Sequence, residues 1–532
     1  MRSGRGIASP DGGGAVRLKA ASLSTARHMQ CALTMSTQPL WSRSPSLPAF
    51  ARLEAALHTE VAVIGGGITG MTIALLLAQA GKRVALFETR RLAAGVSGRT
   101  TAHLTEALDT RYHALESKFG REGAALARAS SREAIEKIAF LAEASGVDCG
   151  FERLNGYLFA EREDRVAELD AELLAAERAG AVVELQKELP LPLLRARGAV
   201  VFANQAQFRP TDYLRGLAAQ LAKTDARLYE GVLISHVETG TVFELETAVG
   251  HTVTADAVVN ATHAPFQTTM LELQLAQYRS YVVSGPSARP LGGLFWDMAD
   301  PYHYYRSTLI DGQNYLIVGG GDHRTGTVPV GGPDAPFHEL EALATRLGSN
   351  VSERWSAQVA EPSDGLPFIG KPDPKVEFYL AQGFGGNGMT FGTLAAMLIS
   401  DALLDRSNRY AELYRADRFK PLASAAAVLS ENAETAAHLV AGHVKPVADR
   451  PLNELARGEG CILKADGKKL AVYRDVAGAV HAVSAICTHQ GCQVAFNPIE
   501  RSWDCPCHGS RFDIDGSVLD GPAEKPLPKY EL

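Results

Sequence analysis

Val61-Ala-Val-Ile-Gly-Gly-Gly-Ile-Thr-Gly70 is the stretch on which the reading of the N-terminal two-thirds of the chain turns. Four apolar residues run into three consecutive glycines, and Gly65, Gly67 and Gly70 spell G-x-G-x-x-G. Residues 61–80 carry no charge, so a membrane span with a small-xxx-small face at Gly66 and Gly70 has to be weighed. Three adjacent glycines would be costly inside a helix, and a second strand-like run, Arg83-Val-Ala-Leu-Phe-Glu88, follows at once. The stretch therefore reads as a buried strand, a glycine turn and a helix start, opening a βαβ unit over residues 59–90. In such a unit the glycines permit a tight turn and a close approach of pyrophosphate to the helix N-terminus, where the dipole favours negative charge. Glu88, ending the second strand, can accept hydrogen bonds from both ribose hydroxyls, and its charge disfavours a 2′-phosphate.

The rest of the chain gives this unit its context. At 532 residues a length prior allows roughly three domains. An apolar fraction of 46% and a charged fraction of 21% are those of a soluble globular protein. The net charge is −7, from 60 acidic and 53 basic residues, with no basic stripe, which argues against a nucleic-acid partner. Residues 1–34 differ: Arg2, Arg5, Arg17, Lys19 and Arg27 face only Asp11, and there is no apolar periodicity. They read as a disordered extension, or as sequence upstream of a start at Met29 or Met35, with organellar import as the alternative. Without an uninterrupted apolar stretch for export, a cytoplasmic location in a bacterium is expected. Ala/Glu/Arg-rich helices are expected over residues 112–145 and 162–180. Short strands are expected at 151–160, 199–202, 231–237, 241–245 and 256–262, and an aromatic, strand-rich stretch at 278–318. A strand and Gly-rich turn at 378–388 opens a helix at 389–404. The pattern implies an α/β (α+β) chain in which a Rossmann-type domain is interrupted by a mixed, antiparallel-sheet domain.

Only seven cysteines are present, and four fall within residues 487–507, which is metal-site usage and not a secreted disulfide framework. Cys487-Thr-His489-Gln-Gly-Cys492 and Cys505-Pro-Cys507-His508-Gly-Ser510 carry C-x-H and C-x-x-H. Two thiolates and two imidazoles so arranged suit a [2Fe–2S] centre, with Cys487 and Cys505 on one iron and His489 and His508 on the other. Zinc is the rival, but zinc fingers pair cysteines with cysteines and histidines with histidines, whereas each box here supplies one of each. Cys492 and Cys507 are surplus to ligation.

After Glu88 comes Arg90-Arg-Leu-Ala-Ala-Gly-Val-Ser-Gly-Arg-Thr-Thr-Ala102, and further on Asp364-Gly-Leu-Pro-Phe-Ile-Gly370 and Gly383-Phe-Gly-Gly-Asn-Gly-Met-Thr390. With the glycine turn, these segments resemble the D-amino-acid oxidase, glycine oxidase and sarcosine oxidase superfamily of FAD enzymes. The resemblance implies a flavoprotein over residues 35–405, with an FAD part at about 59–110, 195–265 and 355–405 and a substrate part at about 111–194 and 266–354. It implies FAD contacts from Gly65, Gly67, Gly70, Glu88, Ser97, Thr100, Thr101, Asp364, Gly385, Gly388 and Met389. Val232 would sit over the adenine through its backbone, and Asn260-Ala-Thr262 would line the pyrophosphate. With no cysteine between Cys149 and Cys461, a cysteinyl flavin linkage is not expected. A helical connector at 406–446 would lead to an all-β domain at 447–532.

The double-cysteine boxes resemble the Rieske proteins of cytochrome bc complexes. That resemblance implies a Cys492–Cys507 disulfide tying the two loops, a hydroxyl donor at Ser510, and a third loop at Gly521-Pro522. Phe512 stands where many of those proteins carry a tyrosine donor. Fewer donors favour the oxidised cluster, so a potential below theirs is expected, within the Rieske range of about −150 to +300 mV.

On the substrate side, Arg279 and Tyr281, and Tyr305 and Arg306, lie where the superfamily places substrate contacts, and an arginine there could clamp a carboxylate. The alternative is solvated strand arginines beside core tyrosines. No residue stands out as a general base, which oxidation of a neutral amine by hydride transfer tolerates. Glu434, His438 and His443 resemble an oxygenase iron triad but read better as an amphipathic helix end. The expectation is an FAD dehydrogenase for a small amine or amino-acid-like substrate, exchanging single electrons with the cluster and an external redox protein or quinone. The alternatives are electron entry through the cluster for a reduction or O2 chemistry, and a redox sensor or relay without turnover.

Overall fold

The computed structural model describes residues 37–191, 194–264, 269–418, 451–465 and 467–532. The expected N-terminal extension, most of the expected connector, and Glu434, His438 and His443 lie outside the described residues.

The glycine turn sits at the heart of a parallel sheet. Leu57–Ile64 pairs in parallel with Val84–Glu88 on one side and Thr252–Asn260 on the other, and Arg227–Glu230 and Phe378–Gln382 extend the sheet outward. Alternation along the first strand serves two cores. Val61 and Val63 meet the helices Ile68–Gln79 and Gly388–Leu403, while Ala62 and Ile64 pack with Phe87, Val258 and Phe243 on the other face. Burial on both faces explains why the strand reads as a continuous apolar run. Register places Ile64 beside Phe87 and Asn260, so Gly65, Glu88 and Asn260 emerge at one carboxyl edge.

The second sheet has nine strands and is mainly antiparallel. Leu275–Pro286 lies between Glu353–Pro362 and Gln313–Arg324, followed by His303–Ile310, Leu294–Asp297, Glu152–Ala160 and Gly198–Gln207. The expected helix over 112–145 is present as Tyr112–Ser145, but Gly120 (φ 73°, ψ 172°) breaks it near its start. The expected 162–180 helix begins as a 3-10 turn, Glu163–Arg165, before Val166–Arg178. No helix among the described residues is long and apolar enough to cross a membrane.

Residues 451–532 form two small antiparallel sheets, Gly460–Ala465 to Val480–Ser484 and Ala495–Asn497 to Val518–Asp520. Their core, with Trp503, Phe512, Tyr473 and Val483, surrounds Cys487, Cys492, Cys505 and Cys507.

This all-β unit is docked on the outer face of the second sheet. Arg279, 2% exposed, directs Nη2 at both oxygens of Glu500 at 2.6 Å. Arg511 then joins Glu500 (3.0 Å), Asp504 (3.1 Å) and Asp520 (2.9 Å). Glycines let the backbones close up. A Cβ on Gly509 would lie 2.5 Å from Gln277 Cβ, and one on Gly326 would lie 2.5 Å from Pro506 N. Burial alone would raise the Glu500 carboxyl, but Arg279 and Arg511 more than reverse this and bring it down to about 2. Asp520 is likewise brought to about 2, burial being overcome first by Arg511 and then by Arg279.

Removing one partner of a buried pair strands the other, so Arg279→Met should lower stability by about 3 kcal/mol, read from thermal or urea unfolding. Both carboxyls are depressed, so their contribution is complete above ordinary carboxylate values and is lost as pH falls toward 2. In Arg279→Met the acid-dependent loss of stability should be smaller than in the parent.

Candidate functional site

The carboxyl edge of the parallel sheet opens into a cavity of about 650 Å³, a size suited to a large cofactor and a small substrate. Gly65, Gly67, Glu88, Ser97, Thr100 and Thr101 line one length of it, and Thr262, Gly385, Gly388 and Met389 line another. Gly65 takes φ +110°, and a Cβ there would meet Ala261 O at 2.4 Å. A Cβ on Gly70 would lie 2.0 Å from Gly65 O, so Gly70 serves the close seating of helix on turn and is not on the wall. Glu88 is held by the backbone: Gly66 N–H donates to one oxygen (2.8 Å) and Arg90 N–H to the other (2.9 Å). Ser97 Oγ accepts the Ile68 N–H at the first turn of the glycine-turn helix (3.1 Å). Asn260 is fully buried. Its Oδ1 accepts from Thr262 N–H (3.2 Å) and Oγ–H (2.7 Å), while its Nδ2 has no protein partner. A glycine cradle, an unpartnered amide and two helix N-termini beside one cavity fit a dinucleotide.

Besides Gly70, two further expected contacts fall elsewhere. Val232 donates its N–H to Glu88 O (3.0 Å) and packs into the core, while its neighbours Leu233 and Ile234 reach the cavity. Asp364 is off the wall and pairs with Arg418 (2.8 and 2.9 Å), so its carboxylate is spent on tying down that segment.

The four substrate-side candidates also need correction, because none lines the cavity. Side chains alternate along a strand, and on Leu275–Pro286 it is Ser280 and Val282 that face inward. Arg279 therefore meets Glu500, and Tyr281 stacks on His323 with ring centroids 5.6 Å apart. On His303–Ile310, Tyr304 faces the cavity and Tyr305 packs against Phe159 in a second core. Arg306 donates to Ala102 O and Phe208 O (both 3.1 Å) and lies over Trp41, and burial pushes its guanidinium down to about 9.

In their place the structure gathers Asp109, Tyr302, Tyr304, Asp322, Ser280, Trp296 and His103 at one end of the cavity. Asp109 accepts the Gly386 N–H (2.5 Å), and its own N–H donates to Asn387 Oδ1 (3.0 Å). Tyr304 and Ser280 hydroxyls share a hydrogen bond of 2.9 Å. Burial raises the Asp322 carboxyl to about 7, with the charge of Asp109 adding to the effect and Ser280 and His303 opposing it. Burial and Arg306 bring the His103 imidazole down to about 3, so it is neutral. A carboxyl poised near neutrality beside aromatic rings and a second carboxyl can hold a cation and take a proton from it.

The second site adjoins the first. The Cys492–Cys507 disulfide is formed, with Cα atoms 6.5 Å apart. Cys487 and Cys505, both buried, remain free. The His489 and His508 rings stand perpendicular with centroids 5.0 Å apart, and His508 Nδ1 is buried without a protein partner. Two free thiols, two facing imidazoles and an unpartnered ring nitrogen fit a [2Fe–2S] ligand set. Cys492, Cys505 and Cys507 sulfurs lie within 4.8 Å of one another, but two of them are bonded together, so that trio is not a ligand set. Ser510 hydroxyl donates toward Cys487 sulfur and accepts the Ala523 N–H (3.0 Å), linking the second box to the third loop. That loop, including Asp520, Gly521 and Pro522, forms part of the cavity wall.

Residues 60–402 match the family described as FAD dependent oxidoreductase, and residues 445–531 match the Rieske [2Fe-2S] domain. The chain belongs to the FAD dependent oxidoreductase family. It is 32% identical over 499 residues to YhfW of Bacillus subtilis (strain 168), described as a Rieske 2Fe-2S iron-sulfur protein, covering 92% of this chain and 97% of YhfW. Gamma-glutamylputrescine oxidoreductase of Escherichia coli (strain K12) is 26% identical over 390 residues, 68% of this chain and 87% of that protein. The crystal structure of glycine oxidase from Geobacillus kaustophilus shares the fold, with a TM-score of 0.59 and 23% identity over 68% of this chain and all of that one. The protein is thus an FAD-dependent oxidoreductase with a C-terminal Rieske domain, and its cofactors are FAD and a [2Fe–2S] cluster.

Gly65→Ala should yield protein with less than a tenth of the parent's flavin per chain, by absorbance after gel filtration. Its Rieske visible spectrum should persist, because the clash at Ala261 is local to the first sheet.

Proposed function

We propose that this oxidoreductase oxidises a small amine or amino-acid-like substrate at the Asp109–Asp322 end of the cavity, and that electrons pass singly between its flavin and its cluster. The observation that carries this reading is the shared wall: the third loop of the Rieske domain lines the cavity that holds the glycine turn. The gamma-glutamylputrescine oxidoreductase relative supports an amine-type substrate. FAD, when bound, supplies a two-electron hydride acceptor able to release electrons one at a time.

The chain's own residues do the rest. Trp296, Tyr302 and Tyr304 give a cationic amine aromatic faces, and Asp109 gives it a counter-charge. Asp322, near half-ionised at neutral pH, accepts the ammonium proton and leaves the lone pair free. The hydrogen-bonded Tyr304 and Ser280 hydroxyls fix the direction from which substrate approaches. Cys487 and Cys505 would hold one iron, and His489 and His508 the other. The Rieske domain, locked by Arg279 and Glu500, keeps that cluster against the flavin-bearing body.

Anaerobic mixing with a panel of amines and amino acids should bleach the flavin first and then raise the reduced-Rieske EPR signal. Cluster reduction that requires an added reductase, with no bleaching by any substrate, would overturn the reading. Asp322→Asn should cut kcat/KM about 100-fold and remove the limb of the pH profile near 7. A raised carboxyl binds more protons in the folded state, so its contribution to stability is full below the ordinary carboxylate range and declines as pH rises from there to about 7. Asp322→Asn should accordingly gain thermal stability relative to the parent at pH 8, gain less at pH 5 and gain none at pH 3.

A further inference from the structure

His489 does not end in solvent. Its Nε2 lies 3.2 Å from Glu272 Oε2, a carboxylate supplied by the flavin-bearing body. The same oxygen accepts from Gln490 Nε2 at 3.1 Å, so the body grips the first cluster box at two adjacent residues. Glu272 is 7% exposed and closes the helical turn Thr269–Glu272. Leu271 and Leu275 anchor it on either side in a core with Phe368 and Leu380. The carboxylate is therefore held beside packed leucines and is poorly hydrated. With Nε2 committed to Glu272, the other ring nitrogen is the one available for iron, as the unpartnered Nδ1 is on His508.

We propose that Glu272 tunes and positions the cluster: it accepts the Nε2–H of His489, and the flavin-bearing body thereby sets the potential of the Rieske centre docked on it. A carboxylate on the outer nitrogen of a ligating imidazole fixes the ring's orientation and raises its basicity. It also places a poorly hydrated negative charge beside a centre that becomes more negative on reduction. Both effects favour the oxidised cluster and lower its potential. The two imidazoles are then inequivalent, since His489 carries the carboxylate and His508 does not. Glu272 acts through His489 and does not touch the iron, so it is a positioning residue. The inference rests on the assignment of His489 as a ligand, and it is independent of substrate and of the direction of electron flow.

The test uses full-length, cofactor-loaded protein and does not depend on turnover. Glu272→Gln keeps shape and an acceptor oxygen but removes the charge; Glu272→Asp keeps the charge at a longer reach. EPR- or CD-monitored redox titration should place the cluster of Glu272→Gln at a higher potential. Reduction should be favoured about tenfold at a fixed solution potential, equivalent to about 59 mV for one electron. Glu272→Asp should fall between Gln and parent, and the g-values of reduced Glu272→Gln should shift. Glu524 also acts on His489 electrostatically, so Glu524→Gln reports the effect of a nearby charge without this hydrogen bond, and its shift should be smaller. Intact Rieske signals with one common potential in Glu272→Gln, Glu272→Asp and parent would overturn the proposal, as would an equal shift in Glu524→Gln. A Rieske spectrum surviving in His489→Ala would instead overturn the ligand assignment beneath it.

Discussion

The contact between Arg279 and Glu500 joins the two halves of the molecule, and much else is arranged around it. An arginine buried in a sheet is costly unless its charge is met, and here the answering carboxylate comes from a different domain. Glu500 is in turn shared with Arg511, which also holds Asp504 and Asp520. Charge is thus balanced only when the Rieske domain sits in one orientation. Gly326, against the backbone of Pro506, and Gly509, against the side chain of Gln277, sharpen that selection, because a Cβ at either would hold the surfaces apart. Docking is therefore specified by electrostatics and steric fit together.

That orientation decides what the two cofactor sites can do for one another. The cavity begins at the carboxyl edge of the parallel sheet, passes the glycine turn and Thr262, and ends among Asp109, Asp322 and two tyrosines. Its remaining side is the loop bearing Gly521 and Pro522, which Ser510 ties to the second cluster box. Gln358 bridges the same junction: it lines the cavity and donates to Gly509 O at 3.0 Å, one residue beyond His508. A short hydrogen-bonded route thus connects flavin cavity and cluster boxes.

The legibility of this structure in its sequence follows the kind of information each feature needs. The glycine turn and the cysteine–histidine boxes were readable because local spacing alone encodes them: a tight turn needs glycine wherever it occurs, and a cluster needs its four ligands near one another. The strand parity of the substrate side was not. Tyr278-Arg279-Ser-Tyr281 and His303-Tyr-Tyr305-Arg306 are buried on both faces, so no polar–apolar alternation marks which residues look inward. Arginines drew attention, while Ser280 and Tyr304 were the residues aimed at the cavity. Asp322 was hidden for another reason, since its raised pKa comes from burial by distant segments. Asp364 misled because a motif position became occupied by an ion pair with Arg418, some fifty residues on. Arg279 reads as a substrate clamp in the sequence and is instead a docking residue, because its partner Glu500 lies more than two hundred positions away.

A wall contributed by the third Rieske loop also bears on how the protein is made. Synthesis runs from the N-terminus, and domains fold largely in the order in which they emerge. The glycine turn lies at Gly65 to Gly70, whereas Asp520 and Pro522 follow it by more than four hundred residues. Without those residues the side of the cavity walled by 517–524 is open. Enclosure on that side therefore depends on a segment that follows the parallel sheet in the chain.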